Sequence, residues 1–272
     1  MIHELQPAAF ERVRPLFESL RFHLASAAVV DGNSPGLVLV DEPARARSAF
    51  MLSPEGSYLA GDPDNDDFNR ALNEAVVTRR ALGKDVGVLF FVVHPEGWRD
   101  RLPDIVAPHT PAAEQRRHYV CRTVRYDWRS HLREGYTVRR IDRSLLDNPE
   151  IVVPDHVTGW MVNNWGSIDR FLEGGFAFAA MTGDELVSWS LTDCVSGDRC
   201  EIGIRTAPAH RRRGLAAATA AAAVEYALLG DFSMVGWHCP ETNLGSIGTA
   251  EKVGFQKERD YVAYYAFLDE EL

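Results

Sequence analysis

Apolar residues recur along this chain with two periods, and the switches between them lay out its elements. Phe10, Val13, Leu16, Phe17 and Leu20 have helical spacing, which predicts a helix over Phe10 to Leu20. Short runs at Gly36–Val40, Arg47–Leu52 and Ser57–Ala60, each bounded by Gly, Pro or Asp, read as strands. Gly61-Asp62-Pro63-Asp64-Asn65-Asp66-Asp67 is a turn rich in capping residues and leads into a helix from Phe68 to Leu82. Val86 to Val93 is a buried strand ended by His94-Pro95, Trp98–Ile105 is a second helix, and Arg117–Tyr126 alternates as a strand. The pattern restarts after Arg129 to Gly135. From there it gives a strand at Tyr136–Ile141, helices at Pro154–Asn164 and Ser167–Glu173, and strands at Phe176–Met181, Glu185–Cys194 and Cys200–Thr206. A helix from Gly214 to Leu229, a strand at Met234–His238, a helix at Leu244–Lys252 and a strand at Tyr261–Leu268 complete the chain.

This order predicts two α/β domains, residues 1–134 and 135–272. A length of 272 residues with 46% hydrophobic content suits two ordinary cores. The two halves share a loose α/β rhythm without a repeat of 20 to 50 residues.

Charge narrows the function. A formal net charge of -10 repels nucleic acid and anionic lipid at long range and favours a soluble protein with a small-molecule substrate. Cys121, Cys194, Cys200 and Cys239 are widely spaced, with no CxxC and no HExxH, so neither a disulfide framework nor a metal site is expected. The start Met1-Ile2-His3-Glu4 breaks at Pro7 without the basic start and apolar run of a signal peptide, and the longest apolar stretch, Leu215 to Leu229, is interrupted by Glu225. The expectation is a reduced, cytoplasmic protein with no membrane span.

The chemistry concentrates between Cys200 and Leu229. A strand, a bend at Thr206-Ala207-Pro208 and a Gly-containing turn precede an Ala-rich helix, an order that aims unpaired backbone N–H groups outward. Gly214 lets the main chain approach a ligand, Ala216, Ala217 and Ala218 leave the first turn unobstructed, and Arg211, Arg212 and Arg213 supply a local positive field. A pyrophosphate is the natural guest, while a solvated loop before a core helix explains the same residues taken alone. GxxxxGK[ST] and GxGxxG are both absent, and three arginines without interleaved aromatics make a short footprint for nucleic acid.

Arg211-x-x-Gly214-x-Ala216 after that Pro-containing bend resembles the donor-binding block of the GNAT superfamily of acyl-CoA-dependent N-acyltransferases. A second family block, an Asn at a strand end followed by a short helix and Lys-x-Gly-Phe, has its counterpart in Asn243, Lys252, Gly254 and Phe255. Glu201-Ile202-Gly203-Ile204-Arg205-Thr206, Trp237-His238-Cys239-Pro240 and Ser246 further resemble the subgroup containing the zwittermicin A resistance acetyltransferases. The resemblance is strongest over Tyr136 to Leu272. It implies a mixed, largely antiparallel sheet flanked by helices, an α+β fold preceded by a smaller N-terminal α/β domain.

The resemblance also assigns roles. Acetyl-CoA is the implied acyl donor. Backbone groups of Ile204, Arg205 and Thr206 flank its pantetheine arm and thioester, amides from Arg212 through Leu215 to Ala216 hold its pyrophosphate, and Asn243 with Ser246 bonds the pantetheine amides. Asn243 is equally suited to cap the following helix. Glu201 is the expected base that deprotonates an amine acceptor, with His238 behind it; an ion pair with Arg205 is the other reading of Glu201. Many members place a Tyr seven residues after the Asn as general acid. This chain has Ala250, leaving Tyr261, Tyr264 and Tyr265 as unranked candidates. Trp160, Asn163, Asn164 and Trp165 are expected near the acceptor. The implied activity is acetyl transfer to a small-molecule amine by direct attack in a ternary complex, with a non-catalytic acyl-CoA-binding or regulatory module as the alternative. The N-terminal half is expected to shape the acceptor site or a homodimer contact.

Overall fold

The computed structural model describes residues 2–77 and 86–268. In chain order the strands are β1 His3–Glu4, β2 Leu37–Val40, β3 Ser48–Ser53, β4 Gly56–Gly61, β5 Val88–His94, β6 Ala112–Cys121, β7 Thr137–Arg140, β8 Ala177–Thr182, β9 Glu185–Ser196, β10 Arg199–Thr206, β11 Met234–Pro240 and β12 Gln256–Phe267. The helices are α1 Arg14–Phe17, α2 Leu24–Val30, α3 Asp66–Val77, α4 Trp98–Val106, α5 Trp128–His131, α6 Arg143–Leu146, α7 Asp155–Trp165, α8 Ile168–Gly174, α9 Leu215–Leu229 and α10 Leu244–Val253. No described helix is long and apolar enough to cross a membrane.

Two compact units emerge, one of residues 1–116 with 261–272, the other of residues 117–260. The chain passes from the first to the second inside β6 and returns inside β12, so the join expected at 129–135 lies within the second unit. Each unit carries a mixed, mostly antiparallel sheet flanked by helices. The strand order is β1-β2-β3-β4-β5-β12 in the first and β6-β11-β10-β9-β8-β7 in the second. Both units run through one order of elements: a strand, a helical stretch, three strands, a helix, a strand, a helix and a strand. The pair after the third sheet strand is parallel in each, β4 with β5 and β10 with β11, because a helix crosses between them.

The first unit's core gathers Phe50, Leu59, Phe68, Leu72, Phe91 and Trp98, all fully buried, with Phe68 and Trp98 edge to face at 6.2 Å. In the second unit the strand period of two sorts side chains onto opposite faces. Cys200, Ile202, Val235 and Trp237 meet α9 and α10 on one face, while Ala179, Trp189 and Leu191 meet Met161, Trp165 and Phe171 of α7 and α8 on the other. α9 is buried along most of its length, and a helix that is apolar all round belongs inside a protein. Its alanines let the backbone lie close against the sheet.

Several elements differ from their sequence reading. The stretch Phe10 to Leu20 is broken into a 3-10 helix, α1 and a second 3-10 helix. Pro15 has no N–H for a bond to the preceding turn, which ends a continuous α-helix there. The strand expected at Arg117–Tyr126 runs instead over Ala112–Cys121, and the last strand begins at Gln256 rather than Tyr261. The expected helix to Leu82 is described as far as Val77, and its last part, 78–82, lies outside the described residues.

Ala221 sits in α9 with no exposed surface. Ala221→Leu should destabilise the protein by about 1–3 kcal/mol through overpacking. Urea unfolding checks this; an unchanged midpoint would mean that α9 does not pack against the sheet as described.

Candidate functional site

β10 pairs with β9 over its whole length, from Arg199 opposite Ser196 to Thr206 opposite Ser188. Its parallel pairing with β11 covers only Arg199, Cys200 and Glu201, opposite Met234, Val235 and Gly236. Beyond Glu201 the two strands part. The β9 side shows why: the register slips between Glu201 and Ile202, leaving Asp193 as an extra residue, and such a bulge bends the strand. Ala207 N–H turns toward β9 and bonds Val187 O at 2.8 Å. Because antiparallel residues alternate sides, the N–H and C=O of Ile204 and Thr206 face the other edge, which β11 has left.

The chain leaves this edge through Pro208 and enters α9 with Arg212 at φ 60° and Gly214 at φ 83°. That left-handed pair turns successive amides toward one point, an anion-binding arrangement. Gly214 is the N-cap and provides no side-chain oxygen, so α9 begins uncapped. The first amide to bond back into the helix is that of Ala218, to Gly214 O at 3.1 Å. Those before it point outward at the positive end of the dipole.

Between the free edge, this turn and α10 lies a cleft of about 640 Å³. Ile204, Arg205, Thr206, Arg211, Arg212, Gly214, Leu215, Ala216, Asn243 and Ser246 all line it. Of the residues expected to hold the donor, Arg213 alone is missing from the lining. Its guanidinium donates to the Tyr136 hydroxyl at 2.8 Å and to Ala209 O at 3.2 Å, and that hydroxyl in turn bonds His210 Nδ1 at 3.0 Å. Arg211 Nε donates to Thr206 O at 3.3 Å, tying the loop to the strand end. Asn243 Oδ1 accepts from Ser246 N–H at 3.0 Å, so Asn243 does cap α10 while also lining the cleft. Ser246 Oγ accepts from Trp237 Nε1 at 2.9 Å.

Glu201 lies at the point of parting with 5% of its surface exposed. Its Oε1 accepts from His238 Nε2 at 3.1 Å and its Oε2 from Cys194 Sγ at 3.6 Å, so its partner is His238 and not Arg205. Gly236 makes room for it: a Cβ there would lie 2.8 Å from Glu201 Cγ. His118 stacks on His238, ring centroids 4.4 Å apart at 11°, with its Nδ1 3.0 Å from Glu258 Oε2. Burial, and then the neighbouring His238, hold the His118 imidazole well below its ordinary value against the pull of Glu201 and Glu258. Periodicity gave no hint of His118.

On the same face as Glu201, Gly203 lies under the Trp160 indole. A Cβ on Gly203 would fall 2.1 Å from that ring. Trp160 Nε1 donates to Asp193 Oδ1 at 2.8 Å and Asn164 Nδ2 to Asp193 O at 3.3 Å, so α7 clamps the bulge. Trp165 is a buried core residue whose Nε1 bonds Thr192 O at 3.0 Å, and Asn163 bonds Asn164 from an exposed position. Ala250 is fully buried. Tyr261, Tyr264 and Tyr265 belong to the first unit, where the hydroxyls of Tyr261 and Tyr265 accept from Arg116 at 3.1 and 3.0 Å.

The first unit offers the corresponding junction without these features. β4 and β5 stay paired from Ser57 opposite Phe91 to Ala60 opposite His94, and Asn65 Oδ1 accepts from Phe68 N–H at 3.2 Å at the start of α3. Asp62, Asp64, Asp66 and Asp67 surround that start and repel phosphate.

The sequence model described as GNAT acetyltransferase matches residues 14–264. An uncharacterized N-acetyltransferase, YdfB, of Bacillus subtilis (strain 168) is 23% identical over 271 residues, covering 98% of this chain and 99% of that protein. A GCN5-related N-acetyltransferase-like protein from Streptococcus suis 89/1591 shares the fold with a TM-score of 0.71 at 22% identity, covering 95% of this chain and 98% of its own. A tandem GNAT protein from the clavulanic acid biosynthesis pathway does so at 0.59 and 13%, covering 100% and 99%. The chain belongs to the GNAT acetyltransferase family.

Two outcomes follow from this geometry. Gly203→Ala should lower stability by about 1–3 kcal/mol and shift tryptophan fluorescence, with Trp160→Phe recovering part of the loss, because the added methyl displaces the indole; additive effects in a double-mutant cycle would contradict the contact. Held down to about 4, His118 stays neutral in the folded chain between about pH 4 and 6.5, where its unfolded counterpart binds a proton. Stability should therefore be intact above that window and fall as the pH drops through it. Calorimetric unfolding of His118→Phe should show a shallower fall, and an identical slope would contradict the buried neutral ring.

Proposed function

We propose that this GNAT acetyltransferase moves an acetyl group from acetyl-CoA to the amine of a small-molecule acceptor, by direct attack within a ternary complex. The observation that carries the reading is the free edge of β10 beside the uncapped start of α9. An extended chain of amides can add to such an edge as a strand would, and a pyrophosphate suits the outward amides. Ile204 and Thr206 offer backbone groups to pantetheine, the Asn243 amide lies across the cleft from them, and the turn from Arg212 to Ala216 with the Arg211 and Arg212 charges receives the phosphates. The Arg213 backbone belongs to that turn although its side chain is engaged elsewhere.

An alkyl amine arrives protonated and must lose a proton before it attacks. Glu201 paired with His238 is the basic group at the parting of the strands. Three residue steps along the strand, about 10 Å, separate Glu201 from Ile204, so water carries the proton between them. The nitrogen then bonds the thioester carbon, and a backbone N–H on the free edge stabilises the oxyanion. The C–S bond breaks with its electron pair on sulfur, and the nitrogen sheds its extra proton. With Ala250 at the position of the usual Tyr, the sulfur leaves as thiolate, which a thiol pKa near 8.5 permits.

The free, buried thiols of Cys121, Cys194, Cys200 and Cys239 suit a reduced compartment, and the reading places the reaction in the cytoplasm. Glu201 to Thr206 and Trp237 to Pro240 support a place near the zwittermicin A resistance acetyltransferases.

Titration calorimetry with acetyl-CoA, paired with thiol release over an amine library, tests the proposal. Wild type should bind and turn over, and Gly214→Glu should lose binding. Glu201→Gln should keep donor affinity while its turnover drops about 10²–10⁴-fold. Binding without thiol release for any amine would assign a binding module instead, and no binding by wild type would defeat the reading.

A further inference from the structure

Past β6 the chain does not continue as the expected strand but crosses α10. Arg125 N–H bonds Val253 O at 2.9 Å, and a Cβ on Gly254 would lie 2.8 Å from Thr123 O. Gly254, at φ 122°, thus admits the crossing segment. The crossing delivers Tyr126 to the phosphate turn. Its ring packs in the second unit's core with 8% exposed, and its hydroxyl lies 3.9 Å from where a Cβ on Gly214 would begin. Lys252 Nζ sits 4.6 Å from the ring centroid and lines the cleft with Gly214, Arg211 and Arg212.

Among the described residues the Tyr126 hydroxyl has no hydrogen-bond partner. The ring is covered but the hydroxyl oxygen keeps access to solvent, so a ligand can reach it. We infer that its partner is a phosphate oxygen of the acyl donor: the Tyr126 O–H donates to it, and Lys252, held over the ring by the cation–π contact, supplies positive charge beside it. The inference rests on the acyl-CoA reading of the cleft. It assigns to donor binding a residue outside both family blocks. CoA carries two phosphate groups with this chemistry, the pyrophosphate and the 3′-phosphate.

Calorimetric titration of CoA and dephospho-CoA into the full chain, Tyr126→Phe and Lys252→Met separates the outcomes. Tyr126→Phe keeps the ring and the cation–π contact, so its thermal midpoint should match wild type while CoA affinity falls about tenfold. Lys252→Met should weaken CoA as well, by less than the sum when combined with Tyr126→Phe. A tenfold loss that persists with dephospho-CoA assigns the contact to the pyrophosphate; a loss seen with CoA alone assigns it to the 3′-phosphate. Equal CoA affinity of wild type and Tyr126→Phe overturns the inference and leaves the donor site standing. Failure of wild type to bind CoA overturns both.

Discussion

Parallel strands in one sheet either pair along their length or leave backbone donors and acceptors to be satisfied by something else. β10 does the first for three residues and the second for the rest. Everything at the candidate site is arranged around that parting. The Asp193 bulge bends the strand, Trp160 and Asn164 clamp the bulge, Gly203 admits the clamp, and Glu201 is buried at the last paired position with Gly236 making room for it. α9 then starts beside the open edge with a glycine cap, so unpaired amides from a strand and from a helix converge on one cleft. An extended amide chain ending in phosphates answers both sets.

The first unit is an internal comparison. It repeats the order of elements, yet its parallel pair stays closed to Ala60 and His94, its helix is capped by Asn65, and its acidic turn repels phosphate. One topology therefore yields a phosphate cradle or a closed junction according to a few local choices: an Asn or a Gly before the helix, Asp or Arg around it, and a bulge that opens the pair. Fold alone does not assign the chemistry.

What could be read in the sequence was local. Alternation along the strand separates Ile202 and Ile204 from Glu201, Gly203 and Arg205, and the spacing from Arg211 to Ala216 locates the turn, because neighbouring residues encode both. What could not be read depends on distant pairing. Nothing in the period of β6 or β12 says that each strand belongs to two units, and the shared order of elements shows in the sequence only as a loose rhythm. Tyr126 and His118 reach their places through a chain crossing and a ring stack, neither of which leaves a spacing signature. Between Phe10 and Leu20 the apolar period reads as one helix, and the missing N–H of Pro15, which that period does not register, breaks it.

Amide hydrogen exchange with and without saturating acetyl-CoA addresses the parting of the strands most directly, since it reports backbone groups one by one. The account predicts slowed exchange at Ile204 and Thr206 and along the turn from Arg212 to Ala217, where no protein carbonyl accepts those hydrogens. Protection confined to other parts of the chain, or none at these amides while acetyl-CoA is bound, would contradict it.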